Sequence, residues 1–304
     1  MSSPRILCLG IGNMGAALAQ TLLRSSSPTT NLTIWNRTPS RPLVQSLVDA
    51  GAKFEPNLVT AIAHADIILI CLLDYPAIYT ALHPVPSLAS KTIINLTNGT
   101  PRQATDAQTW MTARGAELYL DGAVMVTPQL VGTPHAFLLF SGATEARFQA
   151  AMASVVAPLG TALYTGEDVT SAAASDLAAL AAMYGMFAGA FVGMGLLQKQ
   201  LARSGSKGDA KIAPAVEKVV VPLLAALVPY VGQIATAVDE EAWEDNMGNP
   251  LGMQLAGVRN ILQACKEEGV DGGGLDALAS LMQRVMVERG GDGGVAEVVR
   301  LVVE

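Results

Sequence analysis

This sequence has little charge. Asp, Glu, Lys and Arg together make up 15% of the 304 residues, against 51% hydrophobic. A chain of this length holds two cores rather than one. So apolar a composition predicts that much surface is covered between domains or subunits. The charge that is present runs acidic, a net −7 at pH 7, which argues against nucleic acid as a partner. Cysteine is scarcer still. Cys8, Cys71 and Cys265 stand far apart and match no metal-ligand or disulfide spacing. No metal is expected, and free thiols in a reducing compartment, the cytoplasm, are the simplest reading. Met1–Arg5 runs into an apolar strand with no cleavable core of signal-peptide length. Leu177–Gln198 carries no charge at all and is long enough to cross a bilayer. It is rich in Ala and Gly, Asp176 stands at its entrance, and no basic cluster flanks it. Those features predict a buried helix of a soluble protein and no membrane partner.

The first half alternates strand and helix patterns. Short apolar runs at Arg5–Gly10, Leu32–Asn36, Asp66–Leu73 and Thr92–Leu96 are separated by helix-like stretches at Ala16–Arg24, Val44–Ala50, Leu58–Ala65 and Pro101–Arg114. Alternation of this kind predicts an α/β, Rossmann-type doubly wound sheet with helices on both faces. Glu117–Val126, Ala136–Ser141 and Ala162–Tyr164 extend the sheet, with a helix at Phe148–Val156. After Gly166 the strand signals stop. Ser171–Arg203 contains no proline and reads as one helix of about 50 Å. Gly205–Asp209 is a turn cluster, and the rest is helical with breaks at Pro214, Asn249–Pro250, Gly272–Gly274 and Gly290–Gly294. The expected organisation is a dinucleotide-binding domain over 1–166, followed by a long interdomain helix and an all-helical domain over 167–304. Gly185, Gly189 and Gly193 recur every fourth residue on the long helix, with Gly195 beside them. Each glycine costs about 1 kcal/mol inside a helix. Three in register point to another backbone packed along that ridge, a second subunit for preference.

Gly10-Ile11-Gly12-Asn13-Met14-Gly15 lies where the first strand gives way to the first helix. In a dinucleotide fingerprint the first glycine makes the tight turn, the second admits the pyrophosphate and the third lets helix and strand pack closely. The helix N-terminus adds amide donors and a favourable dipole. The end of the second strand separates NAD from NADP. An acid there would bind the ribose hydroxyls, but this chain has Asn36-Arg37-Thr38, with Arg41 close behind. Two guanidiniums and a hydroxyl attract a 2′-phosphate that an acid would repel, so NADP(H) is the expected cofactor.

Cys71-Leu72-Leu73 and the run from Asn95 to Thr100 end two more strands, where a doubly wound sheet opens its ligand crevice. Asn98 reads either as a ligand-facing amide or as a turn asparagine before glycine. Asp176, in the first turns of the long helix, reads as a functional carboxylate or as a partner of the helix dipole. Tyr184 follows two turns on, about 12 Å along the axis and roughly 80° round it. It reads as a site residue or as a core or interface tyrosine.

Together these segments resemble the imine reductases, and within them the fungal reductive aminases, of the wider β-hydroxyacid dehydrogenase superfamily. The marks are Gly10–Gly15, Trp35-Asn36-Arg37-Thr38, Lys91–Pro101, Gly132–His135, Ser175-Asp176-Leu177-Ala178, Met183-Tyr184-Gly185 and Leu251–Val258. The resemblance implies NADPH-dependent reduction of a C=N bond formed from a carbonyl compound and an amine. It implies Asp176, Tyr184 and Asn98 around the reacting carbon, and Arg37, Thr38 and Arg41 on the 2′-phosphate. It also implies a homodimer that exchanges helical domains, with Met253 and Gln254 entering the site from the partner. β-Hydroxyacid dehydrogenases carry a lysine at the position of Asp176, whereas this chain has none between Lys91 and Lys199. Reductive aminases often carry an aromatic residue on the helix after the Gly205–Asp209 turn, where this chain offers Leu223. The alternatives are a β-hydroxyacid-type dehydrogenase and a non-catalytic NADP(H)-binding regulator.

Overall fold

The computed structural model describes residues 4–25, 31–152, 155, 157–203 and 211–303; the Gly205–Asp209 turn lies outside them. The chain forms two compact units, Met1–Ala181 and Ala182–Glu304. The expected boundary at 166 precedes the long helix, whereas the compact units divide within it.

The first unit is built on an eight-stranded sheet in the order β3-β2-β1-β4-β5-β6-β7-β8. Its strands are β1 (Arg5–Leu9), β2 (Asn31–Trp35), β3 (Lys53–Phe54), β4 (Ile67–Ile70), β5 (Thr92–Asn95), β6 (Leu118–Val124), β7 (Phe137–Ser141) and β8 (Thr161–Gly166). All pairings are parallel except β6 with β7. Strand period sorts the core into two layers. Ile6, Cys8, Ile34, Leu69 and Ile94 point to one face, where α1 (Asn13–Arg24), α2 (Pro42–Asp49) and α6 (Glu145–Met152) supply Leu18, Leu47 and Phe148. Leu7, Leu9, Ile68, Ile70 and Ile93 point to the other, against Ile62 of α3 (Leu58–His64), Ile78 of α4 (Tyr75–Leu82) and Met111 of α5 (Pro101–Ala113). The strand patterns gave no sign of two-residue β3, nor the helix patterns of α4. The start of α4 is nonetheless written in the sequence: Asp74 caps it by accepting from Ala77 N at 2.8 Å, and Pro76 stands in its first turn. At the far end of the sheet from the crevice, Arg5 grips the Asp66 carboxylate with Nε and Nη2, at 3.1 and 2.5 Å, and joins β1 to β4. That guanidinium holds Asp66 down to about 2.

The long helix α7 runs from Thr170 to Arg203. In the second unit follow α8 (Ala213–Ala215), one π-helical turn (Val216–Val220), α9 (Val221–Asp239), α10 (Leu251–Glu268), α11 (Gly273–Arg289) and α12 (Glu297–Val303). Leu251, Leu255, Met282, Val285, Val298 and Leu301 make a small core among the last three. Arg203 pairs with Glu268, and Arg300 lies over the Trp243 ring at 4.8 Å.

The expectation that the charge-free stretch of α7 is buried does not hold within one chain. Thr170–Arg203 and Ala213–Asp239 are both long and apolar enough to cross a membrane, yet only 6% and 0% of their most apolar windows are buried. A Cβ added at Gly185, Gly189 or Gly193 would meet nothing within 4 Å, while one at Gly195 would meet Val270 at 3.0 Å. The sequence is apolar there because the surface is apolar, not because this chain covers it.

Candidate active site

Crossovers that leave β1 on one side and β4 on the other open a crevice at the C-terminal ends of those strands. The glycine loop sits there, and its three glycines meet three different constraints. Gly10 has φ +103°, and a Cβ on it would stand 2.3 Å from the Cys71 carbonyl oxygen. A Cβ on Gly15 would lie 1.9 Å from the Gly10 carbonyl oxygen, so helix and loop are already in contact. A Cβ on Gly12 would meet nothing within 4 Å, so a ligand can approach the backbone there. Gly12 caps α1 without a side chain, leaving the first-turn N–H groups at Asn13, Met14 and Gly15 without intrahelical acceptors.

Asn36 braces this loop. Its Oδ1 accepts from Ile11 N at 3.0 Å and its Nδ2 donates to the Thr38 carbonyl at 2.8 Å. Arg37, Thr38 and Arg41 are exposed. Arg41 caps the N-terminus of α2, and among the described residues neither Arg37 nor Arg41 has an ion pair. The corner therefore presents two uncompensated cations beside a helix N-terminus, a fit for a phosphate. Across the crevice, Cys71 and Leu72 are half-buried and Leu73 is 88% exposed. Leu72 N donates to Thr97 Oγ1 at 3.1 Å, tying the end of β4 to the turn after β5. Burial pushes the Cys8 thiol up to about 12 and that of Cys71 to about 11.

The turn after β5 carries Asn98, whose Nδ2 donates to Asp176 Oδ2 at 2.8 Å. Asp176 is only 6% exposed. Its place follows from an anchor one turn earlier on α7, where Ser141 Oγ donates to the Val169 carbonyl and accepts from Ala172 N. Ala172 and Asp176 are four residues apart and share a helix face. Sequence reading had singled out both Asn98 and Asp176, and the structure brings them together. Tyr184, Met253 and Gln254 belong to the second unit. Tyr184 is 62% exposed with its ring edge-on to Phe187. Met253 is 58% exposed, and Gln254 donates to the Asn249 carbonyl at 2.8 Å.

Sequence reading missed a buried polar cluster centred on Asp121 of β6, which is 1% exposed. Its Oδ1 accepts from Tyr75 OH at 2.8 Å, Tyr119 OH at 2.9 Å and Asn95 Nδ2 at 3.1 Å. The signal was a charged residue in the middle of the apolar run Leu118–Val124. Burial outweighs the three donors and, with the Asp176 charge adding to it, raises Asp121 to about 6.

Two family models divide the chain. The NAD-binding domain of 6-phosphogluconate dehydrogenase matches residues 5–164, and the C-terminal domain of NADPH-dependent reductive aminase-like proteins matches 168–304. An NADPH-dependent reductive aminase from Aspergillus oryzae is 36% identical over 293 residues, 96% of this chain and 94% of that one. The chain belongs to the reductive aminase family. Reductive aminases also supply close structural matches. The Aspergillus terreus enzyme, solved with NADPH4, cyclohexanone and allyl amine, superposes with a TM-score of 0.88 at 33% identity, covering 99% of this chain and 100% of that one. An imine reductase from the same organism, solved with NADPH4 and dibenz[c,e]azepine, gives 0.83 at 34% identity over 99% and 100%.

For this reductive aminase fold the Asp121 cluster sets a pH dependence. The folded chain binds the Asp121 proton more tightly than the unfolded chain does, so its ionisation erodes stability as pH rises from about 4 to about 6. The loss is on the order of 3 kcal/mol. Asp121→Asn removes it. Denaturant unfolding should show the variant gaining on wild type by that order between pH 4 and pH 7. A stability difference that does not change with pH would refute the assignment.

Proposed function

We propose that this chain is an NADPH-dependent imine reductase with reductive aminase activity, reducing the C=N bond formed from a carbonyl compound and an amine. The observation that carries the reading is Asp176: a buried carboxylate, held by Asn98, at the crevice of a reductive-aminase-family sheet. With no lysine between Lys91 and Lys199, the chain lacks the cationic acid–base group expected for alcohol chemistry at this place.

NADPH, when bound, supplies the hydride. The open backbone at Gly12 and the first-turn N–H groups of Asn13, Met14 and Gly15 hold its pyrophosphate. Arg37, Thr38 and Arg41 take the 2′-phosphate, with Asn36 bracing the loop between the two sites. Cys71, Leu72 and Leu73 line the side of the crevice formed by β4. Asp176 takes a proton from the incoming ammonium, freeing the amine to attack the carbonyl. Asp176 then returns that proton to the hemiaminal hydroxyl, which leaves as water, and the restored carboxylate charge stabilises the iminium carbon–nitrogen unit in a water-poor cleft. Asn98 fixes the orientation of that carboxylate. Tyr184 holds the carbonyl or hemiaminal oxygen.

The functional unit is a homodimer, cytoplasmic and free of membrane. The uncovered ridge of Gly185, Gly189 and Gly193 and the exposed apolar residues of α9, among them Leu223, Leu227 and Val231, support this reading. So does the exposed position of Met253 on α10, which suits a residue offered to a partner's site together with Gln254.

Three measurements test the proposal. Wild type should prefer NADPH over NADH, and Arg37→Asp should erase an advantage on the order of 1.5–3 kcal/mol per lost phosphate contact. Equal kcat/KM with both cofactors in wild type would contradict it. Asp176→Asn should keep its melting temperature and NADPH affinity while losing about 10²–10⁴-fold in imine reduction. A role limited to the helix dipole would cost about 1 kcal/mol of stability or less and leave turnover intact. Gly189→Leu should break the dimer. Light scattering that finds wild type monomeric at micromolar concentration would rule the dimer out.

A further inference from the structure

The Asp121 cluster lies near enough to Asp176 for the two carboxylates to act on each other electrostatically, and none of the steps proposed above uses it. Its four members come from three elements: Tyr75 from α4, Asn95 from β5, and Tyr119 and Asp121 from β6. Two of its members, Asn95 and Tyr75, lead toward the site. Because the Asn95 amide donates to Asp121 Oδ1 and to Tyr119 OH, at 3.1 and 3.0 Å, its own Oδ1 is turned to accept from Thr97 N at 3.1 Å. That bond shapes the turn carrying Asn98. Tyr75, oriented by its hydroxyl on Asp121, lays its ring on the next residue. A Cβ on Gly99 would stand 2.2 Å from Tyr75 Cε2. On the other side, Asp121 pairs in register with Ser141, the residue that anchors the first turn of α7 one turn before Asp176. The Asp121 side chain therefore supports the Asn98 side of the Asn98–Asp176 bond, while Ser141, its register neighbour, anchors the Asp176 side.

We infer that Asp121 is a positioning residue for C=N reduction: through Tyr75 and Asn95 it sets the turn that presents Asn98, and its negative charge acts on the proton that Asp176 handles. The inference rests on Asp176 as the proton-handling group. A buried carboxylate is a poor structural plug, since an apolar or neutral residue in its place costs the fold less. The titratable groups facing it are Tyr75, Tyr119 and Asp176; Ser141, its neighbour on β7, is neutral. Asp121 ionises near pH 6, within the range in which amines and carbonyl compounds are coupled, while burial and the adjacent Asp121 keep Tyr75 and Tyr119 protonated. The only charge the cluster gains or loses there is that of Asp121.

The test is single-turnover hydride transfer from NADPH to a preformed cyclic imine, from pH 5 to 9, in wild type, Asp121→Asn, Tyr75→Phe and Asp176→Asn. Asp121→Asn keeps an acceptor oxygen for the three donors and removes the charge. It should retain NADPH affinity, slow transfer about tenfold or more, and move the pH profile toward lower pH by about half a unit or more. Tyr75→Phe keeps the ring on Gly99 but withdraws one donor from the carboxylate, so the profile should move the same way by less. An Asp121→Asn profile in the wild-type position overturns the inference, whether or not the rate falls, because a purely structural role slows the reaction without moving it. Should Asp121→Asn fail to fold, Tyr75→Phe decides: a displaced profile supports the inference and an unmoved one overturns it. Full turnover in Asp176→Asn overturns this inference and the catalytic reading together. An inactive Asp176→Asn beside an unmoved Asp121→Asn profile overturns this inference alone.

Discussion

The hydrogen bond from Asn98 to Asp176 closes a loop of 78 residues, and much of the first unit can be understood as what makes that bond possible. Asn98 must leave the end of β5 in a defined direction, which requires the polar cluster under the strand ends. Asp176 must enter the crevice from the first turns of α7, which requires the Ser141 anchor. A 2.8 Å bond tolerates little error at either end. The two supports meet at one pair of neighbouring strands, because Asp121 of β6 and Ser141 of β7 are register partners across the antiparallel pairing. The reversal at β7 therefore matters to the site, since it brings the end of that strand level with Asp121 and sets the start of α7 beside it.

Much of this was legible in the sequence wherever a residue type answers one constraint. Gly10 and Gly15 had to be glycine for steric reasons, and the structure gives each a neighbour that a Cβ would strike. Asn98 and Asp176 were readable as strand-end and helix-start polar residues. Asp121 was not, because a search for strands by apolar runs passes over one acid inside Leu118–Val124. Its meaning comes from three donors, the farthest of them 46 residues away along the chain. Asn36 was legible as part of the cofactor corner, but both ends of its carboxamide are spent on the backbone. The antiparallel turn from β6 to β7 escaped because a short apolar strand looks the same in either direction. The exposure of α7 escaped for a related reason: apolarity predicts that a surface will be covered, not by which chain.

That last point bears on the composition. A chain with 51% hydrophobic and 15% charged residues need not have an oversized interior. Here the sheet domain has two ordinary core layers, while the helices of the second unit leave Phe191, Val221, Leu223, Val228 and Val231 in the open. α7 and α9 each carry several of these exposed apolar side chains close together in sequence, whereas singly scattered ones are ordinary on any protein surface.

The two thiols of the sheet domain have a chemical consequence of their own. Thiolates add readily to aldehydes, and a protein that meets such electrophiles exposes every accessible sulfur to them. Only the ionised sulfur is an effective nucleophile. With Cys8 held to about 12 and Cys71 to about 11, both stay in the S–H form at any pH where amines and carbonyls are coupled. The Cys71 carbonyl oxygen abuts Gly10 of the glycine loop while its side chain packs against the first core layer. The chain thus places a cysteine at the edge of an electrophile-rich crevice while leaving it chemically silent, so aldehyde loading should not titrate away active protein through these two sulfurs.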